Sequence, residues 1–241
     1  MMTEKNVRKG MNVMNKAILS SLGILIIACL AGAALADDPF AVGEKWIYQH
    51  EGAVPMRPPD YAISGDRIRE VVAVQGEDTE KRWLILEAWG EDDEWAGKRV
   101  VSAERMYDKI DSGEGRVMTI DPAYPYDYLN LKPGEEKKWE STFKFSEEWS
   151  FPMKLTAKRI KDVTLKVPAG EFENCIHIQS EESVTFSPPD GNEMTITTKR
   201  EQWYHPKVNG LVKEIYILGR PDGSEEKGVS ELKSYAKEKK E

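Results

Sequence analysis

Along most of the chain apolar residues recur at every second position. Ile68, Val72 and Val74 share one side of the run Arg67–Val74, and Trp139, Phe143 and Phe145 share one side of Trp139–Phe145. Phe151, Met153, Leu155 and Ala157 continue the alternation, Val163, Leu165 and Val167 follow, and Ile176, Ile178, Val184 and Phe186 align within Cys175–Phe186. A period of two sends successive side chains to opposite faces of a sheet, one of which packs on a core. Trp46–Tyr48, Met194–Tyr204, Leu211–Leu218 and Val229–Tyr235 complete the predicted strands. Trp83–Trp89 and Leu211–Leu218 are apolar on both faces, which fits central strands, a second packed layer or a groove.

Turn chemistry separates these runs: Ser112-Gly113-Glu114-Gly115, Pro133-Gly134, Pro188-Pro189-Asp190-Gly191, Asn209-Gly210 and Pro221-Asp222-Gly223. Hairpin spacing of this kind predicts an all-β (or β-rich α+β) fold. The expected form is an antiparallel sandwich or an open, curled sheet with at most one or two short helices. Trp95–Ile110 is ambiguous. Ala96, Val100, Ala103, Tyr107 and Ile110 have helical spacing, whereas the glycine turn that follows and Val117–Ile120 beyond it favour a hairpin. Residues 51–66, rich in Pro and Gly, and residues 121–134, rich in Pro and Tyr, read as long loops. A faint internal echo links Gly43-Glu44-Lys45-Trp46 to Gly134-Glu135 with Lys138-Trp139. It is either two similar strand entries or the trace of a duplicated half-sheet.

The N-terminal segment follows a different pattern. Arg8, Lys9 and Lys16 precede an uncharged apolar run, Ala17–Ala36, which ends in Ala34-Leu35-Ala36 before Asp37-Asp38-Pro39. A basic start, an apolar middle and an A-x-A end describe a bacterial-type export signal. Residues 1–36 are therefore assigned as signal peptide, 37–236 as a single antiparallel β domain and 237–241 as a charged tail. A start at Met14 gives the most compact signal. Cleavage after Ala36 would release a soluble protein into the periplasm or the medium. In a second reading, Ile26-Ile27-Ala28-Cys29 is a lipobox and lipidated Cys29 anchors the domain. In a third, the uncleaved run anchors it, being about 20 residues long, enough to cross a bilayer.

Cleavage removes Lys5, Arg8, Lys9, Lys16 and Glu4, leaving 30 basic against 41 acidic residues, a charge of −11. Such a balance argues against nucleic acid as a partner, because phosphate binding needs clustered Lys and Arg. It leaves the membrane accessible only through the signal anchor or lipidated Cys29. Cys175 is the one remaining cysteine, so the domain has no internal disulfide to rely on. The sequence offers no zinc-type Cys/His cluster, dinucleotide fingerprint or G-x-S-x-G, and implies no cofactor or metal.

Candidate chemistry is sparse. Alternation places Cys175, His177 and Gln179 on the face opposite Ile176 and Ile178. A thiol with a histidine, His177 or His205, could serve an envelope hydrolase, but no local motif supplies an orienting group or an oxyanion site. The acidic run Glu91-Asp92-Asp93-Glu94 lacks the alternating spacing of a calcium loop and reads as a solvated hairpin tip, with a weak cation site as the alternative. The seven Trp and nine Tyr are more suggestive. Trp46, Tyr48, Trp83, Trp89, Trp139 and Trp203 either fill a core or line an apolar groove for an acyl chain or hydrophobic peptide.

Three segments together resemble a known family: Ala41–Tyr48, Val167-Pro168-Ala169-Gly170-Glu171-Phe172 through Ile176, and Trp203-Tyr204-His205-Pro206 through Gly210–Glu214, with Glu231–Tyr235 closing the set. Their order is similar to that of uncharacterised bacterial envelope proteins labelled TapB-like, distantly similar to the LolA/LolB lipoprotein carriers. The resemblance implies a curled antiparallel sheet like an unfinished barrel, its concave side plugged by a helix or loop, and it carries no catalytic residues. Gly170 and Gly210 read as folding punctuation, opening turns that a side chain would block. The function expected is that of an exported, non-enzymatic binding or accessory module for a hydrophobic ligand or an envelope partner. The alternatives are the cysteine hydrolase and a surface adhesion or assembly component.

Overall fold

Strands form largely where the alternation predicts them, and the first pairs with the last. The computed structural model describes residues 38–54, 62–90, 96–111, 116–146, 149–186 and 193–237. Among these residues twelve antiparallel strands close into a barrel. They are β1 (Lys45–Ala53), β2 (Ala62–Gln75), β3 (Arg82–Trp89), β4 (Gly97–Ser102), β5 (Met106–Asp111), β6 (Val117–Pro125), β7 (Glu136–Lys144), β8 (Ser150–Val167), β9 (Gly170–Phe186), β10 (Met194–His205), β11 (Gly210–Gly219) and β12 (Glu225–Ala236). Residues 1–36 with Cys29, the acidic run 91–94 and the turn 112–115 lie outside the described residues.

The expectation of an open, unfinished sheet is thus corrected. β1 runs along β12 from Lys45 opposite Ala236 to Gly52 opposite Gly228. An open sheet would expose unpaired N–H and C=O groups on both of these strands, and this ladder satisfies them. Among the described residues there is no α-helix, only two 3-10 turns, Asp78–Glu80 and Pro206–Val208. Trp95 is not described, but Gly97–Asp111 forms the β4–β5 hairpin rather than a helix. The two long loops are shorter than expected, since β1 continues to Ala53, β2 starts at Ala62 and β6 absorbs residues 121–125.

One strand is phased against its apolar residues. In β2 the side chains of Ile68 and Val72 are only half-buried and Val74 is exposed, while Arg67 and Val71 are buried. Ile68 and Val72 face outward, a bulge between Val71 and Ala73 shifts Val74 opposite Trp83, and Arg67 and Arg69 point into the barrel. Carboxylates from other strands make this phase tenable, because a buried guanidinium needs a partner. Elsewhere the expected apolar faces do point inward, with Phe143, Met153, Leu155, Ala157, Ile176, Ile178 and Val184 in one buried cluster.

The end of the barrel where β1 begins is closed by side chains. Phe40 sits edge-on to Trp46, Trp83 and Tyr126, at 6.5, 6.2 and 5.7 Å between ring centroids. Arg105 lies over the Phe40 ring at 4.4 Å and donates to Asp127 at 2.7 Å and to the carbonyl of Asn209 at 3.1 Å. It thereby joins three segments that cover this end. The β10–β11 connection also departs from expectation. The left-handed residue is Asn209 (φ 48), following the 3-10 turn, and not Gly210. Gly210 serves close packing instead, since a Cβ there would lie 3.1 Å from Nε1 of Trp46. That indole N–H donates to the carbonyl of Val208 at 2.7 Å.

The sequence echo has a structural counterpart. Gly43 and Gly134 take φ 83 and 77. Glu44 and Glu135 each donate a backbone N–H to the residue three before, Ala41 or Lys132, at 3.0 Å. Each carboxylate accepts from that same residue's N–H, at 3.1 and 2.7 Å. The glycine N–H and glutamate carbonyl then bracket one residue of the next strand, Val71 in β2 or Arg159 in β8. β1 and β7 stand six strands apart in a ring of twelve, so the two turns open equivalent halves.

The β6–β7 ladder is the shortest among the described residues, with three pairs: Thr119 with Lys144, Ile120 with Phe143 and Asp121 with Thr142. Few backbone bonds hold this junction, and local opening follows such weak ladders. In hydrogen–deuterium exchange the amides of Ile120 and Phe143 are expected to exchange about tenfold or more faster than those of the long β8–β9 hairpin.

Candidate functional site

The barrel encloses a cavity of about 620 Å³. Its wall has two characters. Ile110, Met118, Phe143 and Phe145 give it an apolar side, drawn from β5 to β7 and the residue that follows β7. Tyr107, Tyr124, Tyr126, Tyr128 and Tyr204 line it too. Burial raises the pKa of Tyr107, Tyr124, Tyr128 and Tyr204, so their hydroxyls stay protonated and able to donate.

The other side is ionic. Arg67 donates through Nε to Glu87 Oε1 at 2.8 Å and through Nη1 to Glu214 Oε2 at 2.7 Å. Glu87 also accepts a close ion pair from Arg99 and a long one from Arg69, at 3.5 Å. Glu214 takes a further bond from Gln202 at 3.0 Å and faces Arg200 Nε at 3.6 Å. Arg200 pairs with Glu182 at 3.1 Å, and Tyr124 donates to the same carboxylate oxygen at 2.6 Å. Each half of the barrel thus carries an inward Glu on its third strand and an inward Arg on its fourth, Glu87 with Arg99 and Glu182 with Arg200. Burial alone would raise the pKa of Glu214, but the guanidinium groups of Arg67, Arg200 and Arg69 outweigh it and hold the value at about 2. Above this network His50 accepts at Nδ1 from Ser230 (2.9 Å) and donates from Nε2 to the carbonyl of Ala53 (3.0 Å). Burial and then Arg67 lower its pKa, which favours the neutral ring.

The six aromatic candidates separate. Trp89 lines the cavity, with Arg67 over its ring at 4.7 Å. Tyr48 is buried beneath Arg67 and Arg69, and its hydroxyl donates to the carbonyl of Leu211 at 3.2 Å. Trp46 and Trp83 are buried in the closed end, and Trp139 packs on Tyr128 at 6.1 Å. Trp203 is on the outer wall, stacked on His177 at 4.8 Å. The strand pattern hides the ionic lining, because apolar periodicity phases β2 on Ile68 and Val72. The signal present was the shared parity of Arg67, Arg69 and Val71, and of Arg200, Gln202 and Tyr204.

The thiol and the two histidines engage other groups. Cys175 is fully buried, Sγ lies 3.4 Å from the carbonyl of Phe172, and burial pushes its pKa up to about 11. His177 pairs closely with Glu201. His205 contacts the carbonyl of Glu173 at 2.9 Å and accepts from the N–H of Lys207 at 3.1 Å. Among the described residues no group of three or more His, Cys, Asp and Glu is arranged to hold a metal ion.

No family model matches the chain, and no curated protein matches it. Among solved structures it is similar to a "putative exported protein with YmcC-like fold" from Bacteroides fragilis. The likeness covers 83% of this chain and 98% of that one, at 15% identity and a TM-score of 0.48.

Proposed function

We propose that this protein is an exported cell-envelope module that binds an elongated hydrophobic molecule inside its barrel and catalyses no reaction. The observation that carries the reading is the 620 Å³ cavity with its apolar and tyrosine-rich wall. That volume falls in the range of about 300–1,000 Å³ typical of small-molecule sites. The end closed by Phe40, Trp46 and Trp83 makes the cavity blind on that side, which suits the end of an acyl chain better than a peptide passing through. Export is supported by the basic and apolar N-terminal segment ending at Ala36. The outward side chains of β8 to β10 include Lys154, Lys158, Glu181, Lys199 and Glu201, whereas a membrane-spanning barrel presents an apolar band there.

Native mass spectrometry of the purified protein is expected to reveal a co-purifying lipid. A fluorescent fatty acid is expected to bind saturably at one site. Replacing Met118 by Trp should fill the cavity and weaken that binding about tenfold, equivalent to roughly 1.4 kcal/mol. Absence of both a bound lipid and saturable binding would overturn the reading.

A further inference from the structure

Among the described residues, the buried charges that line the cavity do not balance. Arg67, Arg69, Arg99 and Arg200 face the cavity with Glu87, Glu182 and Glu214. Arg116 also lines it but stands exposed at the rim, where water screens it. Among the described lining residues, four buried or largely buried cations therefore share three carboxylates. The shortfall can be located. Glu214 and Glu182 together serve Arg67 and Arg200, at 2.7 to 3.6 Å. Glu87 is left to serve Arg67, Arg69 and Arg99 at once.

Arg69 fares worst. Its contact with Glu87 is the longest of the three, at 3.5 Å, to an oxygen that Arg67 already holds at 2.6 Å. Its Nε is buried and has no hydrogen-bond partner among the described residues. The rings of Tyr48 and Tyr126, each 5.8 Å away, supply cation–π contact but no acceptor for that N–H. A guanidinium in this state is costly unless an anion completes it. The Nε atom is sealed off, but the rest of the Arg69 side chain lines the cavity, and an anion can approach the guanidinium from there.

We propose that the ligand is an amphiphile with a single carboxylate, held by Arg69 with Arg99 beside it, its tail lying along Ile110, Met118, Phe143 and Phe145. This rests on the reading of the cavity as a ligand site and adds the head group. One negative charge brings the buried charges of the described lining to four against four. A carboxylate also offers the planar, two-oxygen acceptor that a guanidinium pairs with best.

Calorimetric titration of the purified protein with dodecanoate, dodecanol and dodecyl phosphate tests it. Dodecanoate is expected to bind about tenfold or more tightly than dodecanol, the size of effect of one charge-assisted hydrogen bond. Replacing Arg69 by Met should remove that preference, so that acid and alcohol bind with similar affinity. The comparison on the parent protein decides the matter even if the variant folds poorly. Equal affinity for acid and alcohol, or a preference that survives Arg69→Met, would overturn the carboxylate assignment and leave the hydrophobic carrier standing. Tighter binding of dodecyl phosphate than of dodecanoate would also overturn it, in favour of a more highly charged head. If none of the three binds, the carrier reading falls with it.

Discussion

Replacing Glu214 by Leu is expected to destabilise the folded protein by about 3–5 kcal/mol, the usual cost of breaking a buried ion pair from one side. The carboxylate is 5% exposed and lies between Arg67 at 2.7 Å and Arg200 at 3.6 Å. Leu would leave both guanidinium groups in a cavity whose described lining already holds more cations than anions. The effect has a pH signature. The pKa of Glu214 drops from 4.5 to about 2 on folding, so the charged form is favoured in the fold. Its contribution is fully present above about 4.5 and is lost as the pH falls towards 2. At about 1.4 kcal/mol per pH unit the loss amounts to roughly 3 kcal/mol. Urea unfolding of the parent and of Glu214→Leu should therefore differ most at neutral pH and converge as the pH approaches 2. A difference that stays constant with pH would mean that the carboxylate charge is not what stabilises this position.

The second large effect is expected at the seam that closes the ring. Gly52 of β1 lies opposite Gly228 of β12, and the ring of Tyr216 from β11 packs across that pair. The Tyr216 hydroxyl donates closely to the carbonyl of Ala53, and the ring stacks on His50. A Cβ at Gly228 would fall on the Tyr216 ring and 2.6 Å from the carbonyl oxygen of Ala53. The backbone atom cannot swing aside as a side chain can, so β1 and β12 would have to separate. Gly228→Val is expected to cost about 3 kcal/mol, which lowers the melting temperature by about 6–12 °C in a domain of this size. Gly65→Ala is the control. Its Cβ meets nothing within 4 Å, and the expected change stays within about 0.5 kcal/mol. Equal melting temperatures for Gly228→Val and the parent would show that the seam is not packed as described.

Much of the strand pattern was legible because side-chain parity is local. Met153, Leu155 and Ala157 face the interior, as their alternation indicates. Closure was not legible, because sandwich, curled sheet and barrel all impose the same period of two on each strand. Nothing in Trp46 or Tyr235 announces that these residues stand opposite each other. The inward phase of β2 was hidden for a related reason. Arg67 is acceptable inside because of Glu87, 20 residues away, and Glu214, 147 residues away, and a reading confined to one strand assigns the buried face to Ile68 and Val72. Of the aromatic candidates Trp89 lines the cavity and Trp203 is on the outer wall. Both lie in well-formed strands, so aromatic character alone could not separate them. The echo between Gly43-Glu44 and Gly134-Glu135 was the exception among weak signals. Only backbone geometry distinguishes chance from a repeated device, and the two turns match bond for bond.

Joining β1 to β12 also governs the order in which this protein can acquire its structure. The hydroxyl of Tyr235 donates to Glu44 across 191 residues, a separation close to the largest the domain allows. Contacts this distant in sequence are entropically expensive to form early and slow the search for the native state. The hairpins can assemble as the chain lengthens, but the ring cannot close until the last strand exists. A chain emerging from synthesis therefore remains incompletely folded until its C-terminal strand is made, which is the condition an export channel that threads unfolded polypeptide requires.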